Sequence, residues 1–302
     1  MSLRLKLYAL GNRLTLKPLF ARVKDPARDG ARIDRLAAMA GGYPPLSLHL
    51  RRPLGGRPGH WIAGPGTRAD RVILYLHGGA YFAGSGITHG PMLARLSGYA
   101  GAPVFAQDYR LLQDAPFPAA HDDALAAWDD LIARGWSPDR IVLGGDSAGG
   151  GLMLALLATL CGRGTPPAGA FALSPWTDLS LSGDSIGKNA RADAVLPAHR
   201  MKEAAAAYLD GASADDPRAS PLFADFPNPP PVLLQVGSPE ILVDDTYRMA
   251  NRLRDAGGDV LVETWDGAPH GWHMGAAWVP EARAALRRVG AFVQTSFDSA
   301  NR

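Results

Sequence analysis

The chain has 302 residues, 47% of them hydrophobic and 20% charged, enough for one large α/β domain with a substantial core. A net charge of +2, with both signs interspersed, excludes a chain-wide electrostatic footprint for nucleic acid or an anionic membrane. The single cysteine, Cys161, excludes an intramolecular disulfide, and no run of apolar residues is long enough for a membrane-spanning helix.

Residues 1 to about 42 read as two helices broken near Lys24-Asp25-Pro26. The second has a short apolar face of Leu36, Met39 and Ala40,. The first mixes Leu with Arg and Lys. It has neither the continuous apolar core nor the cleavage site of a signal peptide, so a cytoplasmic protein is expected. The same pattern suits a lid over a pocket, with a basic amphipathic helix on a membrane as the alternative. Leu46 to Leu50 then alternates apolar and polar residues, and His60 to Ala63 follows a Gly/Pro-rich turn. That is the signal of an antiparallel hairpin.

From Val72 the strands become continuous apolar runs, as in a parallel sheet buried on both faces. They are Val72–Leu76, Val104–Ala106, Ile141–Leu143, Ala170–Leu173, Val232–Val236 and Val260–Thr264. Helical stretches alternate with them at Met92–Tyr99, Ala119–Arg134, Ser147–Leu160 and Asp245–Ala256, and Glu281–Ser296 closes the chain. The expected fold class is α/β, a doubly wound and mostly parallel sheet with an antiparallel start. Residues 174–231 are too many for one crossover. They hold a helical segment, Ala198–Leu209, and the Pro-rich return Phe226 to Pro231. About 180–225 is read as a second lid element, packed with the first 42 residues over one site in a single domain.

The sequence Gly145-Asp146-Ser147-Ala148-Gly149 stands between a strand and a helix. In that setting G-x-S-x-G lifts a serine clear of the sheet on a sharp turn, and small residues two before and two after allow the backbone to pass closely. Ser147 is the candidate nucleophile. Its base and acid are expected after later strands, in the order acid then histidine. Of the eight histidines, only His270 and His273 follow the last strand. His270 is favoured, lying between Pro269 and Gly271 and nearer the strand end. His49, His60, His89, His121 and His199 are read as surface groups or satisfied polar contacts. In the loop after Val236, Glu240 is favoured as the acid over Asp244 and Asp245, one of which an N-cap role would explain.

Oxyanion donors are expected from Ala148 and from the loop His77-Gly78-Gly79-Ala80 after the first parallel strand. Gly78 and Gly79 are the expected pair there, with Ala80 the alternative to Gly78. His77 is read as fixing that loop. Tyr81, Phe82 and Trp176 are candidate pocket residues. No metal or organic cofactor is required by this chemistry, and no metal-ligand spacing is present.

Together these motifs resemble the hormone-sensitive-lipase-like, bacterial family IV carboxylesterases of the α/β-hydrolase fold. The likeness rests on His77-Gly78-Gly79, Asp108-Tyr109-Arg110-Leu111 with Pro116-Phe117-Pro118, Gly145 to Gly150, Ser174-Pro175-Trp176, and Pro269-His270-Gly271-Trp272. It implies Ser147, His270 and Glu240 as the triad, a helical lid, and hydrolysis of short-to-medium acyl esters. Two positions depart from the family pattern. Ala80 replaces the third glycine of His-Gly-Gly-Gly, and Glu240-Ile241-Leu242 replaces Asp-Pro-Leu. A lactone hydrolase, a peptidase and a non-catalytic binding protein are the rival readings. The partner is a small-molecule ester, and the last strand, near Val260, offers an edge for a homodimer.

Overall fold

The computed structural model describes residues 1–39 and 42–300, except for the side chains of Ala38 and Met39. The expected contact face of Met39 and Ala40 lies outside what is described. Eight strands form one sheet: β1 (Leu48–Arg51), β2 (Gly59–Ala63), β3 (Val72–Leu76), β4 (Val104–Gln107), β5 (Ile141–Asp146), β6 (Gly169–Leu173), β7 (Val232–Gly237) and β8 (Val260–Trp265). Their spatial order is β1-β2-β4-β3-β5-β6-β7-β8. β1 pairs antiparallel with β2 and β2 antiparallel with β4, and every later pair is parallel. The antiparallel start and parallel remainder match the sequence reading.

Period-two alternation divides the core. Val72, Leu74 and Leu76 of β3 pack on one face, under α5 (Ala119–Ala133), α6 (Ser147–Gly162) and α9 (Val243–Asp255). Ile73 and Tyr75 point to the other face, under α4 (Gly86–Ala100) and α10 (Pro280–Ala300). Because both faces are covered, β3, β5 and β6 could dispense with polar alternation and read as unbroken apolar runs. Each fully buried Leu or Ile there contributes about 1.5–3 kcal/mol.

Two boundaries differ from expectation. The chain starts with three helices, not two: α1 (Leu3–Leu14), α2 (Leu16–Ala21) and α3 (Pro26–Met39). A continuous helix through Pro18 would drive its ring into the carbonyl of Leu14, so the chain bends at Thr15,. Helix α4 begins at Gly86, ahead of the expected Met92, because Ser85 and Thr88 form a reciprocal capping box,; Pro91 falls inside the helix.

Residues 174–231 carry the short helix α7 (Ser185–Lys188) and α8 (Met201–Leu209). They meet the N-terminal helices through charged side chains on backbone carbonyls. Arg13 donates to Arg191 O and Ala192 O, Lys17 to Ala190 O and Asp193 O, and Arg200 to Ala21 O and Val23 O.

Candidate active site

Ser147 stands at the carboxyl end of β5, where the strand turns directly into α6. Its φ of 53° lies in the left-handed region, a strained conformation for a residue with a Cβ,. The turn closes against its neighbours. A Cβ at Gly149 would collide with the carbonyl oxygens of Leu76 and His77, and one at Gly145 with the carbonyl of Gly149. The flanking glycines are therefore demanded by backbone contact.

His270 follows β8 and Glu240 follows β7. Ser147 Oγ lies 2.9 Å from His270 Nε2, and His270 Nδ1 lies 2.7 Å from Glu240 Oε2. Glu240 is fully buried and His270 is 8% exposed. The second oxygen of Glu240 accepts from Ser174 Oγ at 2.7 Å and from Gly237 N at 2.6 Å. Burial works against the imidazolium. The hydrogen bond and charge of Glu240 outweigh it and hold His270 above its ordinary value,.

The competing carboxylates are used elsewhere. Asp244 accepts from Ser185 N at 2.8 Å. Asp245 accepts from Thr177 N and Asp178 N at 2.8 and 3.0 Å. Neither caps α9, whose N-cap position is Leu242. His273 turns away, to Gln235 Oε1 at 2.8 Å, and burial lowers it to about 3.

The loop after β3 carries φ values of 125°, 51° and 62° at Gly79, Ala80 and Tyr81. Successive left-handed residues turn their amides to one side. Gly78, an expected oxyanion donor, does not present its amide there. Its N–H is committed to Asp146 Oδ1 at 2.9 Å, because the carboxylate next to Ser147 reaches back under the loop. Among the described residues, the amides of Gly79, Ala80 and Ala148 have no internal acceptor. His77 stays in the loop, with Nδ1 2.9 Å from Gly78 O and its ring stacked on Tyr109.

A cavity of about 860 Å³ opens on Ser147, His270, Gly79 and Ala80. Its apolar wall comes from Leu16, Leu19, Phe20 and Ile33 of the N-terminal helices and from Val195 and Leu196 of the 174–231 segment. The expected pocket residues Tyr81, Phe82 and Trp176 do not line it. Tyr81 stacks on Tyr208 at 3.6 Å and lies 6.4 Å from Trp176, both inside the core, while Phe82 packs edge-on against Phe20. Large aromatic side chains beside a motif fill the core beneath it as readily as the pocket above it.

Two parts of the site escaped sequence reasoning. Asp193 is fully buried and accepts from Ile241 N at 3.0 Å, fixing the loop that carries Glu240. His89 lies 3.3 and 3.4 Å from the two oxygens of Asp146 and lines the cavity. Its polar contacts are satisfied as expected, yet nothing in the sequence marks its place beside Asp146, the residue before Ser147. His49 and His60, by contrast, form a chain to Asp108 away from Ser147, and His121 meets Thr159.

A nucleophile, a base in line with it, a buried carboxylate behind the base and unpaired amides beside it can together perform acyl transfer. Relatives point the same way. A family model described as alpha/beta hydrolase fold matches residues 73–274. An acetyl-hydrolase of Streptomyces hygroscopicus is 40% identical over 237 residues, 78% of this chain and 79% of its own length. The carboxylesterase/phospholipase LipF of Mycobacterium tuberculosis is 34% identical over 96% of this chain and 81% of its own. The crystal structure of an esterase from the bacterial hormone-sensitive lipase family superposes with a TM-score of 0.92 at 39% identity, covering 98% of this chain and 99% of that one. The chain belongs to the hormone-sensitive-lipase-like esterases of the α/β-hydrolase fold and is a carboxylic ester hydrolase.

Proposed function

We propose that the protein hydrolyses short-to-medium acyl esters through a Ser147-His270-Glu240 triad and an acyl-enzyme. The observation that carries this reading is the unbroken line from Ser147 Oγ through His270 to Glu240, at 2.9 and 2.7 Å. Ser147 Oγ attacks the ester carbonyl as His270 Nε2 takes its proton. The carbonyl oxygen gains charge and is met by the amides of Gly79, Ala80 and Ala148, each contributing about 3–4 kcal/mol to the transition state. Collapse breaks the bond to the alcohol oxygen, which leaves with the proton from His270. Water then gives a proton to His270 and attacks the acyl carbon. Ser147 departs with that proton, and the carboxylic acid is released. Glu240 remains ionised throughout and fixes the Nδ1–H tautomer.

Residues 1–42 and 180–225 act as the lid in this reading, since Phe20, Ile33, Val195 and Leu196 close the cavity. The volume of about 860 Å³ and the apolar wall suit an acyl chain of modest length,. The edge strand β8, with Leu261 47% exposed, is the surface we assign to pairing between two copies,.

The test is turnover of p-nitrophenyl esters from two to sixteen carbons by wild type and Ser147→Ala. Turnover peaking at short or medium chains and lost in Ser147→Ala is expected. No turnover at any length, together with no fluorophosphonate labelling of Ser147, overturns the reading.

A further inference from the structure

Helix α1 exposes an apolar stripe to solvent. Leu3, Leu7, Leu10 and Leu14 are 71%, 52%, 51% and 68% exposed. Their spacing of four, three and four residues puts all four on one face of a 3.6-residue helix. The opposite face is the one the fold uses: Leu5 and Asn12 are buried, and Tyr8 packs edge-on against Trp278 at 5.8 Å. Scattered exposed leucines need no explanation, but four in register on one short helix do.

Charge indicates what covers the stripe. Arg4, Lys6, Arg13, Lys17, Arg22 and Lys24 precede the first acidic residue, Asp25. The net charge of +2 for the whole chain hides this local excess. At 100° per residue, Lys6 and Arg13 lie along one border of the leucine stripe and Arg4 along the other. The partners of Arg4 and Arg13 are neutral backbone carbonyls, of Trp278 and of Arg191 and Ala192, so their charge is not cancelled. A carboxylate, Glu281, sits at the start of the helix against Ser2.

The stripe also leads to the cavity. Leu14 lines its mouth, as do Leu36 and Trp278, which are 44% and 40% exposed. An apolar face bordered by cations is the design of a helix that lies in a membrane interface.

We propose that α1 docks this protein on an anionic phospholipid surface, with Leu3, Leu7, Leu10 and Leu14 in the headgroup–acyl boundary and Arg4, Lys6 and Arg13 at phosphate level. Leu14, shared by the stripe and the cavity lining, then places that edge of the cavity at the bilayer surface. The docking itself does not depend on the esterase reading, because it is read by binding alone.

The experiment is co-sedimentation of the full chain with vesicles of phosphatidylglycerol and phosphatidylcholine, against phosphatidylcholine alone. Wild type, Leu7→Gln/Leu10→Gln and Lys6→Glu are compared. Neither Leu7 nor Leu10 lines the cavity, so turnover of a water-soluble short ester and the thermal melt report that the double variant is folded. Expected are binding to the anionic vesicles, weakening by 0.5 M salt, and a loss of about tenfold or more in partitioning for the double variant. A smaller loss is expected for Lys6→Glu. No binding to anionic vesicles overturns the proposal, as does equal binding by the folded double variant. A wild-type dimer in light scattering that Leu7→Gln/Leu10→Gln converts to monomer also overturns it, because the stripe would then join two copies.

Discussion

Two histidine–carboxylate pairs flank the Ser147 turn, the buried His270–Glu240 and the partly buried His89–Asp146. In each the histidine is held above its ordinary value: burial opposes the charge, and the adjacent carboxylate prevails. The difference lies at the far ring nitrogen. That of His270 faces a hydroxyl, Ser147 Oγ, which can donate a proton to it. That of His89 faces Thr88 Oγ1 at 3.0 Å, a hydroxyl whose own proton goes to Ser85 O at 2.9 Å, and Ser85 O itself at 3.2 Å. With acceptors on both sides, His89 is best satisfied with both nitrogens protonated. The same pair of residue types thus stands as the proposed base in one place and as a histidine drawn toward its charged form in the other. Asp146 shows the consequence. Burial would raise it, yet His89, Tyr75 and the Gly78 amide bring it down to about 2. Held ionised, it clamps the loop that carries the amides of Gly79 and Ala80.

The largest effects should fall on the first pair. Ser147→Ala or His270→Ala should lower kcat by about a millionfold, measured with a short p-nitrophenyl ester. Glu240→Gln should cost about 10³- to 10⁴-fold in kcat with KM little changed, because the imidazole loses its tautomer while its position survives. A loss below tenfold for Glu240→Gln would move the role of acid to another carboxylate.

Asp146→Asn tests the second pair. It keeps an acceptor for Gly78 N and removes the charge. The loop should loosen, and a shift of an ångström in the amides should cost up to about 100-fold in kcat. Stability in urea should fall by at most about 3 kcal/mol, because His89 can shed its proton instead of remaining an unpaired buried charge. A loss of kcat as large as that of Glu240→Gln would erase the distinction between the pairs.

The first pair was legible in the sequence and the second was not, for a physical reason. Ser147, Glu240 and His270 each follow a strand in a parallel sheet, and that topology brings strand ends together whatever lies between them. The fold follows from period and strand composition, and the site follows from the fold. His89 sits within helix α4, where the sequence shows only an isolated histidine four residues after Ser85. Its meeting with Asp146 depends on how α4 packs beside β5, and no local spacing encodes that. Asp193 is hidden in the same way, inside an insertion with no strand to index it. Gly78 shows a subtler limit: the motif marks a loop of amides, but only the carboxylate beneath it decides which of them are spent.

The finest discrimination is in pH. The proposed mechanism needs His270 unprotonated, and the Glu240 carboxylate holds it above the ordinary 6.5 against the effect of burial. Activity should therefore fall, as pH is lowered, through a value above 6.5 and not below it. Glu240→Gln removes the main influence that raises His270, leaving burial, which lowers it, against only the weaker pull of Asp193 and Asp146. The acid limb of kcat/KM should move to lower pH. His89→Gln removes a histidine drawn toward its charged form near the same site, and loss of positive charge there favours protonation of His270. Its acid limb should move up or stay in place, measured on the same short ester at constant ionic strength. The two substitutions, made at corresponding places in the two pairs, should thus part in direction. A downward shift in His89→Gln would mean that His89 is not the cation its two acceptors require, and the contrast between base and clamp would fail at that point.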